Sequence, residues 1–295
     1  MTIIYPESDD GIETTAPFRR RVGHEVEIDD DHTFMHYLWE SGIGTPAKED
    51  YYGNDVPHPK GCDCEDARLY LLHTTDDCSA PGHEHLIGGP DGVLYGSPTY
   101  MEAIAAVADA AEATGSTGST RTGGHIHVSK DGMEISHVFR TLRNAAILWD
   151  QLLALAAGRW DEVRDNQHMR AKQFHIQKLR PTTRDHRGWV CDLDPVTCDA
   201  DEVQEIAYIN GAPFIIGRDG KDTVEWRLWN TMTSRWRLYT TAGVAAAMME
   251  AGLEGREAER GQDLLDFLDG LVTPDLIALV ERQRAILSGD MSWAA

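Results

Sequence analysis

The 295-residue chain is poor in positive charge: 27 Lys and Arg stand against 49 Asp and Glu, a formal net charge of −22 at pH 7. That deficit excludes a broad basic surface of the kind that binds nucleic acid. It also makes an anionic substrate hard to attract unless metal ions or a local basic island help. Long apolar runs are missing too. No stretch approaches the roughly 18 residues that a membrane span needs. The opening residues, MTIIYPESDDGIETT, have neither the basic start nor the apolar centre of a signal peptide. The expectation is a soluble, cytoplasmic protein with no nucleic-acid and no membrane partner.

Cysteine is scarce and odd in number, five residues in all, so a disulfide framework is not expected. Cys62, Cys64 and Cys78, with His83 or His85 downstream, offer a candidate structural zinc site. The usual CxxC spacing is absent, and Cys191 and Cys198 do not extend the pattern, so reduced, unliganded thiols are the default. Two familiar signatures are also absent. STGSTRTGG at 116–124 lacks the GK[ST] of a phosphate-binding P-loop, and HEH at 83–85 is not the HExxH of zinc proteases.

What is present reads as one domain over 19–290 after a disordered lead-in at 1–18. RRRVGHEVEID alternates apolar and polar residues with period two, which predicts a strand. A short helix at 32–41, a loop at 43–67, a strand in ARLYLLHTT and a short strand in GHEHLIGG follow. The clearest helix runs from Ser97, its cap, past Pro98 in the first turn to Gly115. Further helices are expected at about 134–157, 199–209, 235–253 and 259–288. PFIIGRDGKDTVEWRLWN reads as two strands joined by a turn at Asp219-Gly220. The irregular mixture of helices and strands, with one evident hairpin, predicts an α+β fold with a mainly antiparallel sheet. Residues 159–187 gather Arg and Lys into a basic island. It reads equally as a phosphate or carboxylate site and as an exposed helix laced with ion pairs.

Three strands share one peculiarity. Side chains two apart point the same way. Glu25 and Glu27 therefore share a face opposite Val26 and Ile28, and His125 and His127 share a face opposite Ile126 and Val128. Glu225 and Arg227 likewise stand opposite Trp226 and Leu228. Any one of these pairs is an ordinary wet strand face. If the strands pair in one sheet, three carboxylates, two imidazoles and a guanidinium converge. Crowded carboxylates repel, and burial raises their pKa values. Divalent cations relieve both, and oxygen ligands with one imidazole suit Mg²⁺ or Mn²⁺. Glu84, between glycine-rich turns, is a further candidate ligand. Cupins also use an HxH strand, but the next Glu after His127 is Glu134, too far along the chain for that pattern.

GHEVEI, GHEHLIGG, TGGHIHVS, YINGAPF and TVEWRLWNT occur in the order found in the amidoligases, relatives of glutamine synthetase and glutamate–cysteine ligase, which the chain resembles over about residues 19–240. His24 stands where that pattern has an apolar residue. The resemblance implies a curved antiparallel sheet with helices on its convex side, like the glutamine synthetase catalytic domain. It implies Mg²⁺ or Mn²⁺ ions and ATP on the concave face. It implies ATP-dependent joining of a small-molecule or peptide carboxylate to an amine through an acyl phosphate. Glu25, Glu27, Glu84, His125 and Glu225 would be metal ligands. His127 would lie by the nucleotide phosphates, and Arg227 would neutralise the transferred phosphoryl group, with Asn210 and the arginines of the basic island orienting ATP or the acceptor carboxylate. Related ligases form oligomers, though no interface signature stands out here. Two other readings stay open: a metal-dependent hydrolase or oxygenase using the same His and Glu residues, and a non-catalytic binding relative.

Overall fold

The computed structural model describes residues 13–28, 33–34, 37–38, 45–46, 72–76, 83–88, 92–118, 122–157, 180–181, 191–192, 214–216 and 222–288. Several sequence expectations lie outside these residues: the lead-in before residue 13, Asn210, Cys62, Cys64 and Cys78, the helix at 199–209 and the turn at Asp219-Gly220. So does the basic island apart from Arg180 and Pro181.

Period-two alternation at 21–28 produces β1 (Arg21–Glu27). It is followed by β2 (Thr45–Pro46), β3 (Leu72–Asp76), β4 (His83–Ile87), β5 (Val93–Leu94), β6 (Gly123–Ser129), β7 (Arg180–Pro181), β8 (Cys191–Asp192), β9 (Phe214–Ile216) and β10 (Thr223–Asn230). The main sheet has the order β2-β3-β4-β1-β6-β10-β9, with β5 also pairing with β1, while β7 and β8 pair separately. β2 and β3 run parallel. The other described pairings are antiparallel. The fold is therefore α+β with a mainly antiparallel sheet, and β1, β6 and β10, the three strands singled out from sequence, are consecutive neighbours at its middle.

The helices are α1 (Pro98–Thr114), α2 (Ile135–Ile147), α3 (Trp149–Ala157), α4 (Arg235–Leu253), α5 (Leu264–Phe267) and α6 (Pro274–Ser288). α1 begins and ends as its sequence dictates. Ser97 accepts a hydrogen bond from the Tyr100 amide, and Gly115 closes the helix at φ 69° in the left-handed region. Two expectations are corrected. The single helix expected at 134–157 breaks at Leu148 into α2 and α3. The one expected at 259–288 is two helices: Gly270, at φ 76°, lies in the break between them, and Pro274 starts α6 and disfavours helical backbone at the residue before it. Thr273 caps the new start, its Oγ1 accepting from the Leu276 amide at 3.2 Å. Among the described residues no helix is long and apolar enough to cross a membrane.

Helices cover one face of the sheet. Val22, Val26, Ile126, Val128, Val224 and Trp226 are at most 1% exposed on that side. Tyr100 of α1 reaches His24 of β1, and Phe214 packs edge-on against Trp226 at 4.8 Å. β10 carries an irregularity between Trp226, which pairs with Ile126, and Trp229, which pairs with Gly124. Two residues, Arg227 and Leu228, thus face the single His125 of β6, the arithmetic of a β-bulge. The extra residue returns Trp229 to the helix side. Arg20, 1% exposed, clips the layers together: its Nε donates to Glu250 of α4 at 2.6 Å, and Nη1 donates to the carbonyls of Ser129 and Asp131.

Candidate metal centre

Register brings the site together. Glu25 pairs with His125 across β1 and β6, and Glu225 pairs with His127 across β10 and β6. In antiparallel strands, directly opposed residues share a face and lie within about 5.5 Å. Glu25, Glu27, His125, His127, Glu225 and Arg227 therefore occupy the face away from the helices. All six are buried, with Glu225 at 0% exposed and Glu27 at 1%.

Glu25 lies between the two imidazoles. His125 Nδ1 is 2.6 Å from its Oε2, and His127 Nε2 is 2.7 Å from its Oε1. Burial works to raise the Glu25 pKa. The nearby His127 charge and the hydrogen bonds from both histidines outweigh it and hold the carboxyl well below its ordinary value. An ionised carboxylate only accepts, so both hydrogen-bonding protons belong to the imidazoles. Glu225 Oε1 accepts from Arg227 Nη1 at 3.0 Å and lies 3.6 Å from His125 Nδ1. Glu27 Oε2 accepts from the Gly123 amide at 2.6 Å, and its Oε1 lies 3.9 Å from His125 Nε2. His127 Nδ1 is 3.4 Å from Thr223 Oγ1.

Glu25, His125 and Glu225 each offer a ligand atom, and these atoms all lie within 4.8 Å of one another. Three buried carboxylates repel one another, and a cation among them would add to the relief that Arg227 and the two imidazoles give. Nε2 of His125, 3% exposed, has no hydrogen-bond partner among the described residues. Two carboxylates and one imidazole are a donor set that Mn²⁺ or Mg²⁺ accepts, so the residues fit a divalent cation.

Of the ligands expected from sequence, Glu25, His125 and Glu225 form this group. Glu27 is beside it but outside the triad, with one carboxylate oxygen taken by Gly123. Glu84 holds the register position opposite Glu27 on β4, the next strand outward. Arg227 and His127 adjoin the triad, through Glu225 and Glu25 respectively. Asn210 lies outside the described residues. Sequence reasoning passed over three participants: Thr223, Gly123 and Thr231, whose Oγ1 lies 2.9 Å from the Glu27 carbonyl. The only signal for Thr231 was its place immediately after the WRLWN strand.

His24 belongs to the other face. Its Nε2 is 3.0 Å from the Tyr100 hydroxyl, which itself donates to the Leu238 carbonyl. Burial first, and then the His127 charge, lower its pKa to about 3. It is a neutral core residue standing where the apolar side of the alternation falls.

The sequence matches no family model and no curated protein against which it was compared.

Proposed function

We propose that the chain is an ATP- and Mg²⁺- or Mn²⁺-dependent carboxylate–amine ligase of the amidoligase kind. Its sheet would correspond to that of the glutamine synthetase catalytic domain, and it would work in the cytoplasm. The observation that carries this reading is the meeting of Glu25, His125, Glu225 and Arg227 on one buried face of three adjacent strands. Glu25, His125 and Glu225 would hold a cation, which would supply positive charge to nucleotide phosphates. Phosphoryl transfer asks mainly for positioning and neutralisation, and that is what these residue types provide.

In the proposed reaction a substrate carboxylate oxygen attacks the γ-phosphorus of ATP. The bond to the β,γ-bridging oxygen breaks, and ADP leaves. The amine nitrogen then adds to the acyl carbon, the C–O bond to phosphate breaks, and the nitrogen's proton passes to phosphate or solvent. The attacking group is already an anion, so no Ser, Cys or His nucleophile is needed. Arg227 donates one N–H to Glu225, and its planar guanidinium is the group that would fork onto phosphoryl oxygens in the in-line geometry. Glu225 fixes the direction of that fork. His127 lies beside it, with Nε2 held by Glu25 and Nδ1 near Thr223, and would add positive charge close to the phosphates. Burial of Glu25, Glu27, His125, His127, Glu225 and Arg227 would help keep water from an acyl phosphate.

The oxygenase alternative calls for two imidazoles and one carboxylate. Here the triad has one imidazole and two carboxylates, with His127 turned to Glu25.

The test is ADP release with Mg²⁺ or Mn²⁺ across amino acids, polyamines and peptides, with mass spectrometry for a dehydrated conjugate. Glu225→Gln and Arg227→Lys should each cut ADP release by at least a hundredfold, the size of effect seen when one transition-state donor is removed, with circular dichroism unchanged. Full turnover by either variant would remove these residues from the mechanism.

A further inference from the structure

Thr231 sits where three strand ends meet. It follows β10 directly and is 6% exposed. Its Oγ1 lies 2.9 Å from the carbonyl of Glu27, the last residue of β1, and 3.1 Å from the carbonyl of Gly123, the first residue of β6. Those two residues lie one step past the last paired register of β1 with β6, Val26↔Gly124. There the Gly123 amide donates to the Glu27 carboxylate, so the same two residues that share the Thr231 hydroxyl are also tied through the Glu27 side chain. The other Glu27 oxygen is the one facing His125 Nε2 at 3.9 Å. The loop after α1 closes on the same point: a Cβ added at Gly118 would fall 2.2 Å from the Thr231 Cβ.

We infer that Thr231 is a positioning residue for the cation site. Its hydroxyl holds the ends of β1 and β6 at the spacing that keeps the Glu27 carboxylate on the Gly123 amide and aimed at His125. Groups that orient metal ligands at one remove typically set affinity by ten- to a hundredfold. A hydroxyl bridging two carbonyls is the feature that matters; the Thr methyl fills space. The inference rests on the reading of Glu25, His125 and Glu225 as a cation site.

The experiment measures Mn²⁺ binding by calorimetry to the full chain without nucleotide, alongside thermal unfolding of the metal-free protein. Thr231→Val keeps the shape and removes the hydroxyl, and is expected to weaken Mn²⁺ binding about tenfold or more. Thr231→Ser, which keeps the hydroxyl, is expected to stay within a few fold of the parent. Gly118→Ala presses on the same corner from the loop and is expected to weaken binding in the same direction, which keeps the idea testable if the Val variant does not fold. Parent-like Mn²⁺ affinity in Thr231→Val, with only its melting temperature lowered, would make Thr231 a structural clip and overturn the inference. In that case Glu225→Gln would still abolish binding, and the cation-site reading would stand. A parent chain that binds no Mn²⁺ would sink both.

Discussion

One position on β1 shows how far a side chain's surroundings can differ from those of its neighbour. Glu25 is ionised on one face of the strand, and His24 is neutral on the other, within reach of Tyr100. A histidine with a folded pKa of about 3 and an unfolded value near 6.5 binds its proton only in the unfolded chain. Its contribution to stability is therefore complete above pH 6.5 and declines as pH falls toward 3. Between pH 7.5 and pH 5 the loss is about 2 kcal/mol, at 1.36 kcal/mol per pKa unit. That window lies above ordinary carboxylate titration. Urea unfolding of His24→Gln should lack this part of the slope, while the parent keeps it. Equal slopes would mean that His24 is protonated in the folded protein. The alternation of β1 already placed His24 with Val22 and Val26, so its face was legible from sequence. Its partner was not, because Tyr100 arrives from a helix 76 positions along the chain. The same limit hid Thr223, Gly123 and Thr231. Period two says which residues share a face, but register and strand order decide which atoms meet.

At the scale of elements, local signals were sufficient where they were strong. Ser97, Pro98 and Gly115 bounded α1, and α4 runs over the expected residues. They were insufficient where an apolar pattern continues through a break, as at Leu148, which is itself 2% exposed and serves as core on both sides. The bulge in β10 was likewise unreadable, because Trp226, Leu228 and Trp229 suit either a regular or a bulged strand until β6 supplies the register. α4 carries two glycines whose value is contact rather than flexibility. A Cβ on Gly243 would lie 2.2 Å from the Tyr95 hydroxyl, and one on Gly252 would lie 1.9 Å from Thr141 Oγ1. Helix propensity alone favours Ala over Gly by about 1 kcal/mol. Overpacking a closed core costs about 1–3 kcal/mol and should win here. Gly243→Ala and Gly252→Ala are each expected to lower the urea midpoint with the m-value unchanged. A raised midpoint in either would show that Tyr95 or Thr141 moves aside at no cost, and that α4 sits less tightly on its neighbours than these distances indicate.

At the scale of the whole molecule, the acidic composition and the central site pull on one measurement. A chain of net charge −22 attracts divalent cations everywhere on its surface, so a rise in melting temperature with Mn²⁺ is not by itself a sign of a site. The two effects separate by saturation, salt and mutation. Surface attraction is spread over many weak sites, is screened at about 10 Å in 0.1 M salt and does not saturate sharply. Binding among Glu25, His125 and Glu225 would be buried, would resist screening and would stabilise the fold by RT ln(1 + [L]/Kd), about 2.7 kcal/mol at one hundred times Kd. For a domain of this size that is a rise of roughly 5 °C. The parent is therefore expected to gain about that much in Mn²⁺ at 0.15 M salt and to lose it on chelation. Glu225→Gln, which preserves the volume and a hydrogen bond to Arg227, is expected to keep only the small, salt-sensitive surface part. If the variant gained as much as the parent, the cations would be bound elsewhere. The convergence on β1, β6 and β10 would then be an ion-pair cluster in which Arg227 and the two histidines help balance the buried carboxylates without a cation.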